Sequence, residues 1–144
     1  MEYEQATHSD LDAIKDLLKS YGLPTGDFKH HLINFIVAKQ SNEIIGVGGY
    51  EACKEYALLR SFAVKTSHKN LGVAEEIFNL VKEQAINSGV KGFYLLTDTA
   101  IKYFERFEFC ECSRDNAPES IRKTKQFSGL CPDTATMMYK TLSA

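Results

Sequence analysis

Between residues 67 and 81 the chain reads SHKNLGVAEEIFNLV, with Gly72 set between two branched apolar residues at the mouth of a helix-forming run. Glycine in the first turn of a helix costs on the order of 0.5–1 kcal/mol relative to alanine, unless something must approach the backbone more closely than a Cβ allows. The first N–H groups of a helix have no partner within it, and the helix dipole favours negative charge there. Lys69-Asn70-Leu71-Gly72-Val73-Ala74 therefore suits an anion such as a phosphate, the other reading being close packing of the helix.

Arg60 lies in the alternating run YALLRSFAV, where strict alternation puts it on the face of Leu58 and Phe62. A guanidinium near a core needs an anionic partner. That partner is either a carboxylate or similar oxyanion of a bound molecule, or one of the chain's own carboxylates such as Glu51. Arg122 and Lys125, three apart on a helix expected after Pro118, and Ser128 beyond them are further candidates for the same oxyanion, with residues 118–132 closing over it. Cys110-x-Cys112 with Cys131 downstream raises a soft-metal site. No nearby histidine supplies a fourth ligand, and two thiols on one face of a strand are explained by packing, so no metal is expected. His30 and His31 read as a base beside an acceptor or as surface groups, and His68 as the rim of the loop.

The elements that position these residues follow from periodicity. EYEQAT reads as a strand, and Ser9 as the cap of a helix carrying Leu11, Ile14, Leu17 and Leu18. Gly22, Pro24 and Gly26 break the pattern before a short helix DFKHHL capped by Asp27. Strands near residues 34–40, 43–51 and 56–64 form an antiparallel meander, with Ser41-Asn42 as a two-residue turn. The helix opened by Gly72 carries Val73, Ile77, Leu80, Val81 and Ala85 on one stripe and ends near Gly89. GFYLLT then reads as a strand, AIKYFERF as a helix, APESIRKTKQF as helical, SGLCPD as loop and TATMMYKTL as the closing strand. This order argues for an α+β layer architecture with helices covering a mixed sheet, and for a ligand at the strand-to-helix step near residues 64–71.

At 144 residues, 44% hydrophobic and 25% charged, the chain is expected to be one domain, residues 1–144. A net charge of −2 with scattered basic residues recommends no nucleic-acid surface, and no apolar run approaches a membrane span. The N-terminus has no secretory pattern and the four cysteines fit reduced thiols, so a cytoplasmic location is expected.

Taken together, these features resemble the GNAT superfamily of acyl-CoA-dependent N-acetyltransferases. The family's loop reads Arg/Gln-x-x-Gly-x-Gly/Ala after the fourth strand, here Lys69 to Ala74, and TDTAIKYFERFEF parallels its Asn-x-x-Ala-x-x-x-Tyr-x-x-x-Gly-Phe pattern. The matches span most of residues 1–109. The resemblance implies a three-layer fold with a mixed, mostly antiparallel central sheet, whose splayed fourth and fifth strands form an acetyl-CoA cleft. It implies acetyl-CoA as co-substrate, with its pyrophosphate on Lys69, Asn70, Leu71, Gly72, Val73 and Ala74. Pantetheine contacts and the N–H that polarises the thioester carbonyl come from Phe62, Ala63 and Val64, and Thr97 and Phe104 complete the cofactor site.

The departures bear on chemistry. Lys69 replaces Arg/Gln, Thr97 replaces Asn, Phe104 replaces Tyr, and Glu108 replaces Gly, while Leu58 stands where many members carry a proton-drawing glutamate. Phenylalanine cannot protonate the leaving thiolate, so that proton comes from water or another group, Tyr103, about 100° around the helix and otherwise a core or surface tyrosine, being the candidate acid beside the Phe62 N–H. The stretch APESIRKTKQFSGLCPDTATMM, with LLRSFAV and LLTDTA, is similar to a subgroup associated with arsenic resistance that shares features with N-acetylglutamate synthase domains. That resemblance implies an amino-acid-like acceptor, whose carboxylate would be the oxyanion expected at Arg60, with Arg122, Lys125 and Ser128 as further candidates. The expected function is acetyl transfer to a small amine by direct attack on the thioester. The other readings are a catalytically silent acyl-CoA-binding domain and a cysteine-based metal or metalloid binder. The expected partners are small molecules, with no nucleic acid and no membrane, and a homodimer is allowed for.

Overall fold

The computed structural model describes residues 1–130 and 135–142, so Cys131 and the end of the SGLCPD loop lie outside the described residues. In chain order the elements are β1 (Glu2–Gln5), α1 (Leu11–Ser20), a 3-10 turn (Phe28–Asn34), β2 (Phe35–Gln40), β3 (Glu43–Cys53) and β4 (Tyr56–Val64). They continue with α2 (Val73–Asn87), β5 (Gly92–Thr97), α3 (Ile101–Glu105), β6 (Cys110–Cys112), α4 (Glu119–Arg122) and β7 (Thr136–Thr141). The strands form one sheet in the order β1-β2-β3-β4-β5-β7-β6, antiparallel throughout except for β4 with β5.

Ser41 and Asn42, both left-handed at φ 53 and 65, make the tight turn that sets the β2–β3 register. On one face of the sheet α2 lays Val73, Ile77, Phe78, Val81 and Ala85 against Ile36, Tyr50, Leu59, Phe93 and Met138. On the other, α1 and the Phe28–Asn34 turn cover Phe35, Val37, Val47 and Ala63, while α4 sets Ile121 against Leu58, Tyr94 and Met137. This is the three-layer arrangement expected. Helix α2 closes as the sequence indicates: Gly89 has φ 87, its N–H donates to Ile86 O at 3.0 Å, and Val90 N–H donates to Ala85 O at 3.0 Å.

Three local expectations are corrected. The first helix is entered through a 3-10 turn, His8–Asp10, capped by Thr7 rather than Ser9, because the Asp10 carboxylate reaches back to Thr7 N–H at 2.9 Å. The helix after Pro118 stops at Arg122, and a separate wider helical turn spans Gln126–Leu130. Strand β6 is the strand allowed for at Cys110-x-Cys112 but given no place in the expected element order; it puts β7 between β5 and β6.

Two features of β4 shape the cleft. Pairing with β5 covers only Tyr56↔Gly92, Ala57↔Phe93 and Leu58↔Tyr94, after which β4 follows β3 to Val64↔Gly46 while β5 follows β7 to Thr97↔Thr136. The sheet therefore forks beyond Leu58. Within the fork the β3–β4 register slips, so that Gly48 faces both Ser61 and Phe62, and Ser61 takes the left-handed φ of 61. This bulge reverses alternation. Arg60 shares the α1/α4 face with Leu58, but Phe62 crosses to the α2 face, 6.4 Å from the Phe78 ring, contrary to the expectation from strict alternation. Gly48 makes room for it: a Cβ there would stand 2.6 Å from Phe62 Cε2.

Candidate functional site

The fork opens a cleft of about 800 Å³, bounded by the second half of β4, the loop into α2, the end of β5 and α3. At one mouth lies the loop of residues 69–74. Asn70 and Gly72 are both left-handed, at φ 64 and 79. Gly72 is the N-cap of α2 rather than a residue of its first turn, so the first requirement for glycine is its backbone conformation. A left-handed residue followed by the right-handed start of a helix turns successive N–H groups to one side, which is an anion-binding concavity. No side chain caps this helix, and nothing lies within 4 Å of where a Gly72 Cβ would project. Gly72, Val73, Ala74 and Glu75 all line the cleft, so the positive end of a 15-residue helix borders it.

The rest of the loop is held from behind. Lys69 Nζ lies 4.9 Å from the centroid of the Tyr21 ring, and Tyr21 Oη donates to Val64 O at 2.6 Å. His68 Nε2 bonds Gln40 Oε1 at 2.6 Å and its Nδ1 bonds Ser67 Oγ at 2.7 Å, placing the imidazole at the rim as expected. Lys69, Asn70, Gly72, Val73 and Ala74 line the cleft, as do Phe62, Ala63 and Val64. Leu71 does not: it is 68% exposed, so what it offers a phosphate is its backbone N–H rather than its side chain.

Across the cleft, Leu95, Leu96 and Thr97 end β5. Thr97 Oγ1 accepts from Ala100 N–H at 3.0 Å, steadying the turn into α3. Tyr103 and Phe104 both line the cleft, their rings near perpendicular with centroids 5.4 Å apart. Burial raises the Tyr103 hydroxyl above the ordinary tyrosine value, with Glu75 adding to the rise and Arg106 opposing it. It keeps its proton at neutral pH.

On the acceptor side the structure redirects Arg60. Its side chain is fully buried and every guanidinium N–H has a partner. Nη1 and Nη2 donate to Asp27 Oδ2 and Oδ1 at 2.8 and 2.6 Å, Nη1 also reaches Glu51 Oε1 at 3.4 Å, and Nε donates to Ser61 Oγ at 3.1 Å. The Gln126 amide, with its oxygen toward Arg60, accepts from Nη2 and Nε at 3.1 Å. No donor is left for a ligand's carboxylate, so the clamp expected of Arg60 is corrected to a bidentate internal pair. Asp27 makes no cap bond to the turn it precedes, because its carboxylate is engaged here.

Of the companions expected of Arg60, Lys125 stays near enough for its charge to act on Asp27. Arg122 donates to the carbonyls of Ala117 and Asp115 at 3.0 and 2.5 Å, Lys125 lies beyond the end of α4 and shares no helical face with it, and Ser128 is exposed; none of the three lines the cleft.

Glu51 stands directly across from Leu58 in register, and His31 Nε2 lies 3.4 Å from its Oε1. Burial, and to a smaller extent Arg60 and His30, hold His31 below the ordinary histidine value against the pull of Glu51 and Asp27. Donor atoms of Asp27, His31 and Glu51 come within 4.8 Å of one another, the one such grouping among the described residues. The Arg60 guanidinium already supplies the positive charge that a cation would bring there. Cys110 is exposed and Cys112 half-buried on β6, while burial pushes the Cys53 thiol up to about 12. Tyr21, Asp27, Glu75, Arg106 and Gln126 escaped sequence reasoning because they reach the site from separate elements, with no fixed spacing to mark them.

A family model for the acetyltransferase (GNAT) family matches residues 2–109. The chain belongs to the GNAT acetyltransferase family. Three solved GNAT-fold structures illustrate the likeness. N-acetylglutamate synthase from Neisseria gonorrhoeae, complexed with coenzyme A and N-acetyl-glutamate, is 18% identical with a TM-score of 0.85, covering 99% of this chain and 35% of its own. Rv2747 from Mycobacterium tuberculosis, in complex with CoA and NLQ, is 18% identical with a TM-score of 0.82, covering 99% of this chain and 100% of its own. A GNAT acetyltransferase from Staphylococcus aureus Mu50 is 17% identical with a TM-score of 0.81, covering 99% of each chain to the nearest percent. This GNAT chain thus spans about a third of the length of the Neisseria synthase. No curated protein matches the sequence. Acetyl-CoA is the co-substrate of the GNAT family, as the loop implies, and among the described residues no helix is long and apolar enough to cross a membrane.

Proposed function

We propose that this chain is an acetyl-CoA-dependent N-acetyltransferase acting on a small amine. The observation that carries the reading is the junction of the forked β4/β5 cleft with an open, left-handed glycine N-cap at its mouth. Acetyl-CoA supplies the reactive thioester. The N–H groups that begin α2, with Lys69 beside them, hold its pyrophosphate. The backbone of Phe62, Ala63 and Val64, lacking a β5 partner beyond Leu58, binds the pantetheine chain, and a Phe62 N–H in that position polarises the thioester carbonyl.

The amine enters from the face carrying Arg60 and Gln126. With Leu58 buried where a carboxylate is common, and His31 and Glu51 paired with each other outside the cleft lining, the amine's proton leaves to water. Tyr103, protonated at neutral pH, returns a proton to the departing thiolate, so that the amine becomes an amide and the thiolate a thiol. Arg60 orders this wall through Asp27 and does not touch the acceptor.

The Neisseria neighbour's complex with N-acetyl-glutamate favours an amino-acid-like acceptor. The C-terminal resemblance to arsenic-resistance-associated members adds phosphinic and arsinic glutamate analogues to that class. The test is a coenzyme A release assay over amino acids, these analogues, polyamines and aminoglycosides, with mass spectrometry of the product. A mass gain of one acetyl group on one amine class is the expected result. Binding of acetyl-CoA with no release above buffer for any member would make the chain a silent acyl-CoA-binding domain.

A further inference from the structure

We infer that Tyr21, at the C-terminal end of α1, is a positioning residue for the acetyl-CoA phosphates, and this rests on the cofactor reading above. Two contacts place it. Its hydroxyl donates to Val64 O, the last residue of β4, at 2.6 Å, and its ring lies under the ammonium of Lys69 at 4.9 Å. The two partners stand at either side of the turn that carries the chain from the strand into the phosphate-facing loop. One side chain therefore ties the end of the pantetheine-binding strand to the one basic side chain of the 69–74 loop.

The physical need is specific to lysine. An arginine at this position would be pre-organised by its planar fork, whereas the lysine ammonium is a point charge on a flexible stem that must be ordered before it helps a phosphate. Among the described residues no salt bridge holds Lys69; the Tyr21 ring is the contact that restrains it. A cation over a ring keeps its outward side free, so the ammonium remains able to meet a phosphate while resting on the aromatic face. The Val64 carbonyl fixes the ring in turn, because a hydroxyl bonded at 2.6 Å removes the freedom of an otherwise 38% exposed side chain. The loop that follows Tyr21 carries Leu23 and Pro24 into the cleft wall, so the same residue anchors that wall.

The test is calorimetric titration of acetyl-CoA into wild-type protein, Tyr21→Phe, Tyr21→Leu, Lys69→Met and the double variant Tyr21→Leu/Lys69→Met, with a thermal melt of each. Tyr21→Phe keeps the ring but frees it from Val64 O, and is expected to bind more weakly than wild type and more tightly than Tyr21→Leu. Tyr21→Leu loses the ring and is expected to bind about 2- to 5-fold more weakly, the size of an exposed cation–π contact. In the Lys69→Met background the same Tyr21→Leu change is expected to make no further difference. A residue that merely packs α1 would weaken binding by the same factor in both backgrounds, and that additivity, or an unchanged affinity in Tyr21→Leu, overturns the inference. Failure of the wild-type protein to bind acetyl-CoA overturns the cofactor reading itself, and is distinguished by needing no variant. Should Tyr21→Leu melt below the assay temperature, tighter retention by Tyr21→Phe than by Tyr21→His decides the same question, since the neutral ring of phenylalanine holds a cation better than imidazole does.

Discussion

Asp27 and Arg60, 33 residues apart, meet in a bidentate pair with Nη2–Oδ1 at 2.6 Å and Nη1–Oδ2 at 2.8 Å, both side chains shut away from solvent. The pair fastens the Phe28–Asn34 turn onto β4 at the bulge that shapes the cleft. Removing Asp27 leaves the buried Arg60 only the longer, 3.4 Å carboxylate contact with Glu51, and breaking such a buried pair costs about 3–5 kcal/mol. Asp27→Ala is therefore expected to lower the urea midpoint by that equivalent at constant slope, and the double variant Asp27→Leu/Arg60→Met to recover most of it. A loss below about 1 kcal/mol in Asp27→Ala would show the pair to be dispensable.

Acid should act through the same pair. The hydrogen bonds from Arg60 hold the Asp27 carboxyl below the ordinary aspartate value, outweighing the opposing effect of burial. For a depressed acid the stability is present above the unfolded value, about 3.9, and is lost as pH falls through the folded one. His31 adds in the same direction: its folded value is lowered by burial, so the unfolded chain binds the extra proton below about 6.5 and stability declines there first. Urea midpoints measured from pH 8 to pH 3 are expected to fall in two stages, with His31→Gln removing the upper stage and Asp27→Asn reducing the lower, to which the depressed Asp10 also contributes. A flat profile between pH 7 and pH 5 in wild type would contradict the reading of His31.

Much of this was legible from the chain. The Ser41-Asn42 turn, the three meander strands, the extent of α2 and its closure at Gly89 follow from local rules that the structure obeys. What escaped was written in tertiary contact. Asp27 looks like a helix cap in sequence because nothing local reveals an arginine 33 residues away that outcompetes the turn's own N–H groups. Phe62 was placed on the wrong face because period-2 reasoning has no term for a bulge, and the Gly48 that admits its ring reads as one glycine among three in GVGG. Arg60, the most chemically suggestive residue, proved to be internal structure.

The bulge itself can be tested. Gly48→Ala puts a Cβ 2.6 Å from the Phe62 ring, which must swing toward the cleft. Overpacking of this kind costs about 1–3 kcal/mol. A lower melting temperature is expected together with weaker acetyl-CoA binding. Weaker stability with unchanged affinity would separate Phe62 from the cofactor site.

Tyr103 is expected to act on turnover rather than on affinity. Tyr103→Phe should lower kcat about tenfold or more, while KM for acetyl-CoA stays within about twofold. Phe104→Tyr, in contrast, adds a hydroxyl to the cleft wall and is expected to be tolerated and to restore part of the loss when combined with Tyr103→Phe. Equal kcat in wild type and Tyr103→Phe would assign thiolate protonation to water.

The central claim is that the open N-cap of α2 receives the pyrophosphate of acetyl-CoA, and calorimetric titration of acetyl-CoA into wild type, Gly72→Ala and Gly72→Glu tests it most directly. Both variants carry a side chain at φ 79, so both bear the left-handed backbone cost of about 1–2 kcal/mol, and their melting temperatures should be similar. Only the glutamate brings bulk and negative charge to the place a phosphate would occupy. The account predicts one acetyl-CoA per chain for wild type, modestly weaker binding for Gly72→Ala, and no detectable binding for Gly72→Glu. Wild-type affinity retained by folded Gly72→Glu would contradict it.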